Sequence, residues 1–213
     1  MPKKKAENID FPSVENIETF IRECGSEDLE VFGGTYAGGV CSQQIPDELA
    51  PCIYDLLKMG VKINSYLEVG AAAGGTTYIF DYYFNPKQIV LLDNNEHPKY
   101  NLRPEILKGI EYREIIGDSQ SESASVAARE FSPYDFIILD AVHTYQATKI
   151  DVALYGPMLS KGGYLFLHDS VWSGGKVDRV VRELKTEKGW EFIGEYITKV
   201  HKNPCGIALF RKV

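Results

Sequence analysis

Acids stand at the end of one short apolar run after another in this chain. Glu68 lies inside Tyr66-Leu67-Glu68-Val69, Asp93 follows residues 89–92, and Asp118 follows the run that ends at Ile116. Asp140 follows residues 136–139, and His168-Asp169 follows residues 164–167. Packing gives no reason for such a row, because bare carboxylates gathered in one crevice repel each other and call for a ligand, a cation or water. Asp140 and Asp169 are hard oxygen donors of the kind that hold a divalent ion such as Mg²⁺. Such an ion can make a high-pKa hydroxyl acidic by coordination. Helix capping or a surface ion pair is the plain alternative for both. His143 stands three residues after Asp140. An imidazole with its ordinary pKa of about 6.5 accepts a proton at neutral pH; a histidine simply bonded to a neighbouring carboxylate is the other reading. His168 can be a metal ligand, a partner of a ligand, or part of its strand. His97 and His201 sit in polar stretches and receive no role.

The first apolar run leads into a glycine turn, Gly70-Ala71-Ala72-Ala73-Gly74-Gly75-Thr76-Thr77. Gly70 allows a tight strand-to-helix turn, and Gly74 lets backbone N–H groups approach a ligand closely. Asp93 lies 19 residues after Gly74, where an acid can bond both hydroxyls of a ribose. A nicotinamide dinucleotide site reads G-x-G-x-x-G, and its middle glycine falls on Ala72, whose methyl group would crowd a pyrophosphate. The turn therefore favours a nucleoside cofactor without a pyrophosphate. A turn that only packs helix on strand is the structural alternative.

These residues need a frame. Ser13 can cap a helix whose Val14, Ile17, Phe20, Ile21 and Cys24 share one face, with Gly25 ending it. Pro46-Asp47-Glu48 fits the first turn of a second helix, with Leu49, Ile53, Leu56 and Leu57 on its apolar face and Gly60 to close it. Between them, residues 32–39 are glycine-rich and aperiodic, an ordinary loop or a lid over an acceptor. From residue 65 onward, aliphatic runs at 66–69, 89–92, 112–116, 136–139 and 164–167 alternate with helix-length segments. Near-continuous aliphatic strands suit a sheet buried on both faces, and the alternation implies parallel strands joined by right-handed crossovers. Residues 192–197 and 207–210 can form a closing pair, and the mixed charges of 176–188 read as a solvated helix face. Tyr78, Tyr82, Tyr83 and Tyr145 read as packing, and Trp172 as a wall of an acceptor pocket. The expected fold is a doubly wound, mostly parallel α/β sheet of seven strands with N-terminal helices. It forms one domain over 1–213, with helices and the glycine-rich loop in 1–60 and the α/β core in 61–213. Ligands of such sheets bind at the carboxyl ends of the strands, where strand order reverses.

Composition narrows the class. The 213 residues carry 30 acidic against 23 basic side chains, a net charge of -7, which argues against a nucleic-acid binder with a broad basic face. No apolar run is long enough to span a bilayer. Cys24, Cys41, Cys52 and Cys205 form no C-x-x-C pair and fit no zinc spacing. Free thiols and the lack of an apolar leader point to the cytoplasm. Lys3-Lys4-Lys5 reads as a solvated tail.

Leu67-Glu68-Val69-Gly70-Ala71-Ala72-Ala73-Gly74, Leu92-Asp93 and Gly117-Asp118-Ser119 together resemble the motifs of class I S-adenosylmethionine-dependent methyltransferases. That resemblance covers about residues 43–213. It implies that Glu68, Gly70 and Gly74 surround the methionine part, Asp93 the ribose and Asp118 the adenine, with Ala71, Thr76, Asn94, Ser119 and Asp140 also in the cofactor site. A narrower resemblance follows from Asp140-Ala141-Val142-His143 and His168-Asp169-Ser170-Val171-Trp172. Both are similar to O-methyltransferases of the catechol and caffeoyl-CoA type, where two carboxylates and an Asn hold Mg²⁺ and a Lys is the proposed base. Here Asp140 and Asp169 match the carboxylates, Ser170 replaces the Asn, and His143 occupies the Lys position. The Asp140-x-x-His143-x-Tyr145 run and the His168-Asp169 pair also resemble the macrocin and cephalosporin-tailoring enzymes, as Gln44-Ile45-Pro46-Asp47-Glu48 resembles their helix start. The resemblance implies an S-adenosylmethionine-dependent O-methyltransferase for a small hydroxylated acceptor, assisted by Mg²⁺, in a family where homodimers are common. The rivals are a metal-independent enzyme using His143 as base, a non-catalytic nucleoside-binding protein, and a nicotinamide oxidoreductase.

Overall fold

Ser13 starts the first helix as the sequence predicts: its hydroxyl accepts from Asn16 N–H while the Asn16 side chain accepts from the Ser13 N–H. This reciprocal cap satisfies two donors that a helix start leaves open. The helix, α1, runs Val14–Cys24 and ends at Gly25, whose φ of 89° suits glycine. A second helix, α2, spans Pro46–Lys58. Pro51 lies inside it, past the first turn, where it removes one backbone donor, and Leu49, Ile53 and Leu56 are fully buried. The computed structural model describes residues 11–25, 39–172, 174–200 and 203–213. The basic tail, residues 32–38 of the glycine-rich stretch and His201 lie outside the described residues.

From residue 65 strands and helices alternate. They are β1 Ser65–Val69, α3 Gly75–Phe84, β2 Gln88–Asp93, the short α4 Arg103–Ile106, β3 Arg113–Ile116, α5 Glu122–Arg129 and β4 Tyr134–Leu139. Then come α6 Tyr145–Tyr155, β5 Leu159–His168, α7 Val177–Leu184, β6 Trp190–Tyr196 and β7 Ile207–Lys212. One seven-stranded sheet results, in the order β3-β2-β1-β4-β5-β7-β6. β1 to β5 are parallel, and β7 runs antiparallel to both β5 and β6. The doubly wound, mostly parallel seven-stranded sheet is therefore as expected, closing pair included.

Side chains alternate across the sheet, so each strand feeds two cores. Tyr66, Leu91, Phe136 and Phe166 pack against α1, α2 and α3 on one face. Leu67, Val69, Val90, Ile137 and Leu167 pack against α5, α6 and α7 on the other. The 176–188 segment departs from the expectation of a solvated face. Val177, Val180, Val181 and Leu184 of α7 are buried, and only the opposite side carries Asp178 and Arg182 outward. Charge dominates that stretch of sequence, and four apolar residues at helical spacing still suffice to dock it.

Strand order reverses at β1, which lies between β2 and β4. The turns after β1 and β4 thus diverge to opposite faces and open a crevice at their carboxyl ends.

Candidate active site

A cavity of about 660 Å³ fills that crevice. Its wall is assembled from the end of each parallel strand. Gly70 and Ala72 follow β1; Asp93 and Asn94 close β2; Gly117, Asp118 and Ser119 follow β3; residues 140–143 follow β4; His168, Asp169 and Trp172 come from β5. Gln43 and Cys205 add to it from outside the sheet's first five turns.

Most of the residues singled out by sequence meet here: Gly70, Asp93, Asn94, Asp118, Ser119, Asp140, His143, His168 and Asp169 all line the cavity. Glu68, Ala71, Gly74, Thr76 and Ser170 do not. Strand alternation explains Glu68. It shares the face of Tyr66, under α3, where its Oε2 accepts from the Tyr66 hydroxyl at 2.6 Å and from the Thr77 hydroxyl. It is a buried strut beneath the glycine turn and does not line the cavity. Gly74 caps α3 with φ 84°, and the Thr76 hydroxyl donates to the Ser42 carbonyl at 3.2 Å, tying the turn to the segment before α2. Ser170 is fully buried, and its Oγ has no hydrogen-bond partner among the described residues. It does not line the cavity, and the residue before it, Asp169, turns the chain at φ 57°.

Burial pushes the Glu68 carboxyl up to about 7, against the hydrogen bonds from Thr77 and Tyr66. The folded protein therefore binds this proton more tightly than the unfolded chain. The resulting stabilisation is complete below the ordinary value of 4.5 and is lost as pH rises through about 7. Comparing urea unfolding of wild type and Glu68→Gln across pH 4 to 8 checks this. Wild type should lose stability relative to the variant between 4.5 and 7, and a constant difference across the window would refute the assignment.

The donor end of the cavity is organised by Asp93 and by a residue the sequence reading missed. Asp93 Oδ2 accepts from Ala72 N–H at 2.8 Å, and Oδ1 accepts from Asn95 N–H at 2.6 Å. Ala72 is held at φ 42°, which strains an alanine. Arg103, almost wholly buried, pins it from the other side: Nε donates to the Ala72 carbonyl at 2.8 Å. The same guanidinium pairs with Glu114 and lies 3.4 Å from Asp93 Oδ1. A helix of four residues has too little periodicity to announce a buried arginine in advance.

At the other end, two acids and two histidines interlock. His143 Nδ1 lies 2.6 Å from Asp169 Oδ2, and its Nε2 lies 3.3 Å from Asp140 Oδ1. His168 Nδ1 lies 2.9 Å from Asp140 Oδ1 and 3.3 Å from Asp169 Oδ2. These are ion-pair distances, yet neither nitrogen of His168, nor Nε2 of His143, makes an aligned hydrogen bond. Gln44 Nε2 donates to Asp140 Oδ2 at 3.0 Å and fixes that carboxylate from behind. Burial opposes the charged forms, but His168 and His143 together hold Asp140 and Asp169 below the ordinary carboxylate range. The acids in turn raise His168 well above its ordinary value and push His143 up to about 10. With only protons in the site, His143 is an imidazolium at neutral pH, which differs from the free base expected of it. The repulsion foreseen among the carboxylates is relieved by two imidazole rings.

The cluster can hold a cation in place of those protons. Single ligand atoms of Asp140, His143 and Asp169 lie within 4.8 Å of one another, as do those of His168, Asp169 and Cys205. Two carboxylates with buried, unaligned imidazole nitrogens fit a divalent ion by donor chemistry. Above them stand Val142 and Trp172, both partly exposed large apolar side chains, and Trp172 meets His143 edge to face at 6.2 Å between ring centroids.

A sequence-family profile described as a methyltransferase domain matches residues 67–170. Among solved structures, the chain is similar to an O-methyltransferase from Bacillus cereus in complex with S-adenosylhomocysteine. The identity is 14%, the TM-score 0.60, and the match covers 74% of this chain and 78% of that one. It is also similar to the N-methyltransferase NodS from Bradyrhizobium japonicum WM9 in complex with S-adenosylhomocysteine, at 15% identity, TM-score 0.57, and 76% and 86% coverage. An rRNA methylase from Streptococcus thermophilus matches at 14% identity, TM-score 0.61, and 78% and 96% coverage. No curated protein matches the sequence. At these identities the likeness is one of fold. Among the described residues, no helix is long and apolar enough to cross a membrane.

Proposed function

We propose that this chain is an S-adenosylmethionine-dependent methyltransferase that moves the sulfonium methyl group to a hydroxyl of a small acceptor, assisted by a divalent cation; the methyltransferase-domain profile over residues 67–170 and the fold shared with an S-adenosylhomocysteine-bound O-methyltransferase support this reading. The observation that carries this reading is the meeting of Asp140, His143 and Asp169 in the same cavity as Gly70, Asp93 and Asp118. One end offers a close backbone approach and acids for a nucleoside. The other offers a cation site under an apolar rim.

The chemistry is a displacement at a methyl group already activated by its sulfonium, so the protein must align donor and acceptor and ease loss of the acceptor's proton. Gly70 leaves room for the donor beside the β1 turn. Asp93 keeps acceptor capacity beyond its two backbone contacts and in this reading would bond the ribose hydroxyls. Asp118 and Ser119, which line the same cavity, would face the adenine. Asp140 and Asp169 would hold the cation, with His143 and His168 beside them. A divalent ion so held lowers the pKa of a coordinated hydroxyl and neutralises the alkoxide. Val142 and Trp172 would shelter the acceptor from water. A net charge of -7 speaks for a small acceptor over a polynucleotide. Cys24, Cys52 and Cys205 are buried thiols outside any disulfide, which supports a reducing compartment such as the cytoplasm.

Calorimetric titration with S-adenosylhomocysteine, with and without Mg²⁺, tests the reading. Binding near 1 μM, about 8 kcal/mol, is expected, followed by methylation of hydroxylated small molecules that a chelator suppresses. No binding under either condition overturns it. Turnover indifferent to the chelator favours the reading in which the cation is dispensable.

A further inference from the structure

We propose that the cation site at the ends of β4 and β5 is built for a first-row transition ion of the Mn²⁺ to Zn²⁺ series, held through His168 and His143 together with Asp140 and Asp169, and discriminates against Mg²⁺. This rests on the cation-assisted reading above and deepens it by naming the ion class.

A Mg²⁺ site is made of oxygen. Carboxylates, carbonyls and retained waters suit its small, hard, octahedral shell, whereas imidazole suits Zn²⁺, Cu²⁺, Fe²⁺ and Ni²⁺. Here oxygen donors are in the minority among the groups that converge. Asp140 and Asp169 bring carboxylates, but His143 and His168 bring two rings against both of them. Cys205 Sγ completes a second triad with His168 and Asp169, all within 4.8 Å, and sulfur is softer still. The neutral hydroxyl of Ser170, which would have added an oxygen to the set, is buried and does not line the cavity.

His168 is the independent observation that points to a ligand at this cluster. It is 6% exposed, it lines the cavity, and while Nδ1 faces Asp140 at 2.9 Å without an aligned hydrogen bond, Nε2 has no partner among the described residues. Buried polar groups are hydrogen-bonded almost without exception, because leaving one unmet costs the full loss of its hydration. His143 Nε2 shows the same misalignment beside Asp140. Asp140, His143 and Asp169 bring single ligand atoms within 4.8 Å of one another, and His168 does the same with Asp169 and Cys205, so the two triads meet at Asp169. Gln44, bonded to Asp140 Oδ2 from the far side, supplies the outer support that orients a ligand carboxylate.

Metal titrations of the chelator-treated full chain, without donor or acceptor, test this. CoCl₂, MnCl₂ and MgCl₂ are each added to wild type, His168→Asn and His143→Asn, with affinity read by calorimetry. Coordination is read by the visible bands of Co²⁺ and by electron spin-echo modulation of bound Mn²⁺. Since even outer supports of a metal ligand are worth 10- to 100-fold in affinity, each substitution should weaken Co²⁺ by about tenfold or more and leave Mg²⁺ within about threefold. Nitrogen modulation should appear on Mn²⁺ in wild type and diminish in the variants. Equal affinity for Mg²⁺ and Co²⁺ in wild type, unchanged Co²⁺ affinity in the variants, or no nitrogen modulation overturns the proposal. His143 is partly exposed, so His143→Asn carries the test if circular dichroism shows that His168→Asn fails to fold. Co²⁺ binding with nitrogen ligation but no affinity for S-adenosylhomocysteine would sink the methyltransfer reading and leave this one standing. S-adenosylhomocysteine binding without any divalent ion would do the reverse.

Discussion

Asp169→Asn is expected to lower kcat by about a hundredfold or more, the scale of a lost acid–base contribution, while S-adenosylhomocysteine affinity changes by less than about threefold. The substitution is unusually clean at this position. Asp169 sits at φ 57°, a region that Asn tolerates nearly as well as Asp and that most other residues do not. The variant should therefore keep the turn that delivers His168 and Trp172 to the cavity. What it loses is one carboxylate oxygen at 2.6 Å from His143 Nδ1 and 3.3 Å from His168 Nδ1. The amide keeps a weak oxygen donor but not the charge that holds a cation. The nucleoside end, built on Gly70, Asp93 and Asp118, belongs to other strands and should not register the change. Full turnover in Asp169→Asn would remove the cluster from the chemistry. Loss of S-adenosylhomocysteine binding would show instead that Asp169 supports the donor.

The contrast between those two ends also explains what could be read from the sequence. Strand-end acids are legible because they combine two local signals, an aliphatic run and a charge at its end. Asp93, Asp118, Asp140 and Asp169 were all found that way and all reach the cavity. The caps of α1 and the positive-φ glycine at residue 70 are local as well. Glu68 sits inside its run instead of after it, so pleat parity, not sequence position, decides that it faces α3 and its Thr77. Gln44 contacts Asp140 across 96 residues, and no local pattern encodes that meeting. Arg103 reaches back 31 residues to the Ala72 carbonyl from a helix one turn long. His143 was readable as a titrating group, yet its state depends on Asp169, which arrives from a different strand. Local chemistry was therefore visible, whereas its coupling across strands was not.

The second large effect concerns that coupling at its tightest point. Gly70→Ala should destabilise the fold by about 3 kcal/mol, combining roughly 1–2 kcal/mol for a side chain at positive φ with 1–3 kcal/mol for overpacking. Gly70 has φ 91°, and a Cβ there would lie 2.2 Å from the Asp140 carbonyl oxygen and 2.7 Å from Ala141 Cα. Those are backbone atoms of the turn after β4, held in place because the Asp140 N–H donates to the Val69 carbonyl at 2.9 Å. They cannot swing aside as a flexible side chain would, so the two strand ends at the crevice must separate. Separation moves Asp140 away from Asp169 and the histidines, and activity should fall together with stability. Gly109→Ala is the matched control. Its φ is 88°, nearly the same, but nothing lies within 4 Å of its Cβ position, so it should cost only the backbone strain, about 1–2 kcal/mol. Urea unfolding of both variants separates strain from collision. A greater loss in Gly70→Ala, with turnover reduced only there, would show that the cavity depends on β1 and β4 ending in direct backbone contact. Equal losses would mean that the β4 turn yields freely and that the close approach is not what sets the position of Asp140.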